Sequence, residues 1–333
     1  MRRNRFFPWL LACLVLVTVM ISVGGVTRLT RSGLSITEWK PVTGWIPPLS
    51  EADWTREFDL YRLSPEFQQV NSHFELQDYK RIFWWEFLHR VLGRVIFFVV
   101  LFGAIRYRRD LGTRRAFGLP VLVVFQGLMG WIMVKSGLTH RPSVSHYLLA
   151  AHFFLALATL LVIYGQLVRF KKPLGVRLGR RDAALGVALG LVILVQVLWG
   201  CFTSGLKAGV YYSTYPLMGG EVLPATAFAL SPWLANFLEN PVAVQWVHRW
   251  MGTVTFLFTL GLSWFYVTKV SRSLLRPFLH LASVMTVQFV LGVAVLLLAV
   301  PVSLAVFHQF MAVLVVLGYF NFALRVEWPW SEG

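Results

Sequence analysis

The sequence predicts an all-α membrane protein whose eight transmembrane helices form two tandem four-helix bundles related by a pseudo-twofold axis. Three observations predict it: an apolar composition, eight apolar runs of spanning length, and short motifs that occur twice. Of 333 residues, 57% are hydrophobic and 14% charged, and mean hydropathy is +0.63, values outside the range of soluble domains. About 20 apolar residues cross a bilayer as a helix. Such runs lie at 8–27, 83–105, 116–135, 145–168, 183–203, 242–268, 275–298 and 302–324.

The net charge of +16 raises the question of nucleic acid. The basic residues instead fall in short segments beside the spans, at the N-terminal tail, 106–115, 169–182, 268–277 and after the last span. All of these lie on one side, which reads as membrane topology with both termini cytoplasmic; no nucleic-acid partner is expected. The long 28–82 segment carries both signs and says little about orientation. The basic start followed at once by a spanning run reads as an uncleaved anchor. Cys13 and Cys201, the two cysteines, both fall inside expected spans, which argues against a disulfide framework.

The repeat is carried by several pairs of motifs. His89-Arg90-x-x-Gly93 recurs as His248-Arg249-x-x-Gly252, Gln126-x-x-x-Gly130 as Gln288-x-x-x-Gly292, and Ser32-Gly33-Leu34 as Ser204-Gly205-Leu206. Val144-Ser145 and Val302-Ser303 each open a span that carries a histidine, His152 or His308. Four crossings per copy is an even number, so both copies share one orientation and corresponding residues share one depth. The expected bundles are 1–170 and 171–333, with four histidines in one layer near the non-cytoplasmic face.

Histidines inside a membrane need partners and usually mark function. A lone one is most simply a hydrogen-bonded structural residue, but four at matched depth, two per bundle, suit ligation. Zinc asks for three or four ligands from Cys, His or carboxylates, whereas two imidazoles in apolar surroundings suit the axial positions of haem iron. Gly93 and Gly252 share the histidine face of their helices and admit either a porphyrin or a neighbouring helix. Arg90 and Arg249 have two readings, pairing with a haem propionate or reaching to the head groups. Glu86 stands three residues before His89, where the second copy has Gln245. A carboxylate there, in apolar surroundings, is a candidate acid, base or stabiliser of positive charge. The asymmetry suggests chemistry in the first bundle and a resident haem in the second.

Six segments together resemble the haem A synthase family: GGVTRLTRSGLSITEWKPVTGWIPP at 24–48, FWWEFLHRVLGR at 83–94, GLMGWIMVKSGL at 127–138, VSHYLLAAHFFLAL at 144–157, VQWVHRWMG at 244–252 and FHQF at 307–310. The similarity is to the branch shared by mitochondria and related bacteria, and some bacterial members differ in carrying cysteine pairs in outer loops. The resemblance implies oxidation of a ring methyl group of haem O to the formyl group of haem A, for cytochrome oxidase assembly in a bacterial inner membrane. It implies haem b as cofactor on His248 and His308, with Arg249 beside it. It also implies haem O as substrate between His89 and His152, with Glu86 and Arg90 at hand. Haem O synthase, oxidase assembly factors, an electron-transfer partner and membrane lipid are the implied partners, and a homo-oligomer is compatible with all of this. Two other function classes fit parts of the pattern: a dihaem electron-transfer cytochrome, and a transporter, which would need broken helices at the midplane that the spans lack.

The remaining histidines, His73, His140, His146 and His280, have no counterpart in the repeat. Outer-loop or interfacial positions are expected for them, with a supporting role near the site for His146. The 28–82 segment, with Trp39, Trp45, Trp54, Pro41, Pro47 and Pro48, reads equally as a lid over the first site or as an aromatic belt at the head groups.

Overall fold

The computed structural model describes residues 5–40, 43–139 and 142–330; Pro41 and His140 lie outside the described residues. The chain folds as two compact units, Met1–Ile163 and Tyr164–Gly333. Eight helices among the described residues are long and apolar enough to cross a membrane, and the protein is an all-α, eight-span membrane protein. Among the described residues, extended pairing is limited to two isolated bridges, Arg177–Glu327 and Met218–Glu221.

The first unit holds α1 (Phe7–Leu29), the short α2 (Glu51–Arg62) and α3 (Pro65–Gln69), then α4 (Leu76–Leu111), α5 (Thr113–Thr139) and most of α6 (His146–Val168). Pro8 sits in the first turn of α1, where a missing N–H costs nothing. Gly112, at φ 79°, makes the break between α4 and α5. At 36 residues, α4 outruns its apolar centre, because the polar flanks Gln77–Arg81 and Arg106–Asp110 remain helical beyond it.

Apolar patterning alone does not find α2 and α3, whose signals are caps. Ser50 Oγ accepts from the Asp53 amide at 3.1 Å while Asp53 Oδ2 accepts from the Ser50 amide at 3.2 Å, a reciprocal capping box. Ser64 caps the turn opened by Pro65. These helices pack into a cap with its own core of Ile36, Trp54, Tyr61, Tyr79, Ile82 and Phe83. Lys40 pairs with Glu38 at 2.6 Å and with Glu57 of α2 at 3.0 Å, and these carboxylates hold its ammonium above the ordinary lysine range.

The second unit holds α7 (Arg180–Gly205), α8 (Asn236–Glu239), α9 (Pro241–Phe265), α10 (Leu275–Leu297) and α11 (Val302–Ala323). Asn240 starts α9 by accepting from the Val242 amide at 2.9 Å, with Pro241 at the first helical position. Residues 206–240 fold over the end of α9 around Met218, Ala227, Val242 and Ala243. Asn236 ties that segment together, accepting from the Leu230 amide and donating to the carbonyls of Leu230 and Trp233, all at 2.9 Å.

Helices in lipid gain little from hiding apolar surface from one another, so close contact through small residues and hydrogen bonds holds them. In the first unit Trp9 of α1 lies flat against Gly103 of α4, where a Cβ would overlap the indole, and its Nε1 donates to Val99 O at 2.9 Å. In the second, Tyr319 of α11 lies against Gly190 of α7 and donates to Gly186 O at 3.0 Å. Replacing Gly190 by valine should therefore destabilise the detergent-solubilised protein by about 1–3 kcal/mol through overpacking. Gly261→Ala, with open space around it, should leave the thermal unfolding midpoint unchanged or slightly higher; equal behaviour of the two variants would contradict this packing.

Candidate functional site

Each of the four expected histidines is seated on a glycine of the preceding span. A Cβ on Gly24 of α1 would stand 3.0 Å from Cε1 of His89 on α4, and one on Gly130 of α5 would stand 3.0 Å from Cε1 of His152 on α6. In the second unit the same test gives 3.1 Å between Gly200 of α7 and His248 of α9, and 2.9 Å between Gly292 of α10 and His308 of α11. Only a hydrogen fits between backbone and imidazole, so the glycines set how close the rings come to the neighbouring helix.

Three of these glycines are preceded, four residues earlier, by a glutamine on the same helix face. Gln126 Nε2 donates to His152 O at 3.0 Å and lies 3.2 Å from both ring nitrogens. Gln196 Nε2 donates to His248 O at 3.0 Å and lies 3.1 Å from His248 Nδ1. Gln288 Nε2 lies 3.3 Å from His308 Nε2. For His89 the corresponding residue on α1 is Met20.

Gly93 and Gly252, open to two readings in the sequence, make helix contacts. Their Cβ positions would fall 3.4 Å from Met20 Cε and 3.1 Å from Gln196 Nε2. The contact is thus reciprocal: His-x3-Gly on one helix meets Met/Gln-x3-Gly on the other. His89 and His152 are near enough to interact electrostatically, as are His248 and His308, so the structure brings the histidines together as one pair per unit. Among the described residues no group of three or more His, Cys, Asp or Glu side chains converges as a metal-ion site.

Glu86 is 3% exposed, but its surroundings are polar rather than the apolar setting expected from the sequence. Its Oε2 accepts from Ser35 Oγ and from the Ile36 amide, both at 2.8 Å. Its Oε1 accepts from Arg90 Nε at 3.1 Å and Nη2 at 2.6 Å. The reason lies in the chain path: the segment after α1 turns back over α4 and delivers a hydroxyl and an amide to the carboxylate. Arg90 in turn donates to Ile36 O at 2.7 Å and Glu38 O at 3.0 Å. Tyr79 Oη donates to Ser35 O at 3.3 Å, joining this network to the cap core.

The second unit repeats the strap without the acid. Arg249 donates to Tyr212 O at 2.6 Å, Thr214 O at 2.5 Å and Leu217 O at 3.3 Å, and Gln245 Nε2 donates to Tyr212 O at 3.0 Å. In both units the arginine after the first histidine therefore holds the capping segment by its carbonyls. Arg249 Nε is buried without a hydrogen-bond partner among the described residues.

A family profile described as cytochrome oxidase assembly protein, COX15-CtaA, matches residues 8–319, which include all four histidines and both straps. The chain belongs to this family. Within it, the chain is 44% identical to a protein named "Heme A synthase" from Rhodospirillum centenum, over 90% of this chain and 83% of that one. It is 44% identical to one of the same name from Maricaulis maris, over 92% and 91%. A third, from Nitrosospira multiformis, is 40% identical over 90% and 87%.

In this member of the family His73 and His280 are exposed, while His146 is buried as the first residue of α6. Trp54 belongs to the cap core, whereas Trp39 and Trp45 cover the guanidinium groups of Arg90 and Arg94, each at 5.7 Å. Sequence reasoning missed Gly24, Gly200, Gln196 and Met20. The spacing of Gln126 and Gly130, carried onto the fifth span, would have found Gln196 and Gly200. Because Arg90 neutralises a carboxylate buried behind it, Arg90→Gln should destabilise the cap by roughly 3–5 kcal/mol. Protease cleavage between 43 and 75 should accelerate accordingly, and an unaltered digestion rate would show that the pair does not hold the cap.

Proposed function

We propose that this protein oxidises a ring methyl group of haem O to the formyl group of haem A by successive hydroxylations, and so supplies haem A for cytochrome oxidase assembly. The observation that carries the reading is one pair of glycine-seated imidazoles per unit, in a chain whose relatives bear the name "Heme A synthase". Two imidazoles per unit, with no third His, Cys, Asp or Glu converging on them as a metal-ion site among the described residues, suit haem iron better than zinc. His89 Nδ1 and His308 Nδ1 are buried without a hydrogen-bond partner among the described residues, as befits rings whose nitrogens have another use.

In this reading His248 and His308 hold haem b, and His89 and His152 receive haem O. Haem b supplies one-electron redox capacity when bound. Glu86 contributes a negative charge held in place by four donors on its two oxygens. That charge opposes the positive charge that builds on a porphyrin as its methyl group is oxidised. The unpartnered Arg249 Nε–H is the donor left for a propionate of haem b.

The basic segments beside α1, α4, α5, α7 and α10 support cytoplasmic termini in a bacterial inner membrane. The histidines then lie toward the opposite face. Substrate comes from a farnesyl-transferring haem O synthase, electrons are exchanged with a separate partner, and product passes to oxidase assembly.

Co-expression with a haem O source should yield haem A, seen by chromatography as a new aldehyde-bearing haem. Bound haem without product would favour an electron-transfer cytochrome instead. Glu86→Gln should retain bound haem and lower haem A formation roughly 100-fold or more, and unchanged turnover would remove Glu86 from the chemistry. Substituting both His248 and His308 with alanine should abolish the spectrum of the resident haem, and an unaltered spectrum would overturn its assignment to that pair.

A further inference from the structure

Three of the four histidine seats bring a glutamine amide to the ring: against both nitrogens of His152, against Nδ1 of His248 and against Nε2 of His308. Gln126, Gln196 and Gln288 each bring an amide to within 3.3 Å of the ring they face, and the Oε1 of each is buried with no other partner among the described residues. An amide so placed turns over to suit its histidine, offering nitrogen to a bare ring nitrogen or oxygen to a ring N–H. A hydrogen bond of that kind on the far nitrogen of a metal-binding imidazole fixes its orientation and strengthens it as a ligand. Losing one typically costs 10–100-fold in affinity. At the fourth seat Met20 occupies the amide's place: its Cε faces Gly93 as Gln196 Nε2 faces Gly252. His89 Nδ1 is buried and unpartnered among the described residues, as is His308 Nδ1, but the His308 ring keeps the Gln288 amide on its other nitrogen. A thioether is at best a weak acceptor.

We propose that Met20 is a positioning residue that withholds an outer hydrogen bond from His89, making His89 the releasable ligand so that the first unit exchanges its porphyrin while the second retains its own. The proposal rests on the haem reading of the four histidines and adds to it which ligand gives way. An oxidised product has to leave the first unit once per turnover, whereas a resident cofactor has no such need. The methionine and the glutamine stand where those opposite demands would put them.

The test is the rate of haem loss from the full-length protein in detergent, loaded with haem O and challenged with excess apomyoglobin as acceptor. Two phases are expected, the faster from the first unit. Met20→Gln should slow the fast phase by about 10-fold or more, and Gln196→Met should accelerate the slow phase by a similar factor. Met20→Leu, which fills space without adding an amide, should release at the wild-type rate. Phases of normal amplitude that neither Met20→Gln nor Gln196→Met moves would overturn the proposal and leave the haem reading standing. A wild-type protein that retains no imidazole-ligated haem would overturn both.

Discussion

The seat of each imidazole on a glycine of the neighbouring helix is the constraint from which the rest of the site follows. A lipid-facing bundle has no water to satisfy a buried polar ring, so the ring must find its partners on adjacent helices. The reciprocal contact brings α1 to α4 and α7 to α9, because the glycine beneath the ring draws the backbones together, but only in the second does it also deliver an amide to the ring. The glycine one turn beyond the histidine, Gly93 or Gly252, receives Met20 or Gln196 in return. At α6 and α11 the residues four beyond the histidines, Ala156 and Ala312, are small as well. One spacing thus fixes helix approach, ring orientation and the position of the outer amide together.

Closing the site from the aqueous side is a separate problem, and both units meet it with the arginine that follows the histidine. A guanidinium is a planar fork that can hold several carbonyls at once. Arg249 gathers three from residues 212–217. Arg90 gathers two and adds Glu86, and through Ser35 and Tyr79 the first network continues into an aromatic cap core. The strap arginine of the first cap therefore works partly through an ion pair, and that of the second through backbone carbonyls.

Much of this was legible in the sequence, for identifiable reasons. The spans stand out because the bilayer penalises polar residues over a fixed length, and the expected span 302–324 differs from Val302–Ala323 by one residue. The histidines stand out because four of them recur at matching places in the repeated motifs, where a lone one would read as structural. The caps were not legible as folded elements, since α2 and α3 are polar helices announced only by Ser50 with Asp53 and by Ser64 with Pro65. The environment of Glu86 was not legible either. A hydroxyl and an amide reach it from about 50 residues earlier in the chain, and no spacing rule reports where a loop's backbone will turn. The Gln-x3-Gly spacing was visible in α5 and α10, but its third occurrence in α7 lost its expected counterpart to Met20.

The two units differ at the same face of the same helix pair in two independent ways, and the differences point in one direction. At the cap, neutral Gln245 stands where the first unit has Glu86; beneath the ring, Gln196 stands where it has Met20. A site that must bind, transform and release a porphyrin benefits from a fixed charge near the reacting macrocycle and from a ligand that can let go. A site that must only keep its porphyrin benefits from neither: the charge would add desolvation cost without transition-state gain, and the missing amide would weaken retention. Either change alone could be chance. Both in one unit, with the glycine seats and arginine straps left intact in each, is the pattern expected of one helical frame serving two different residence times.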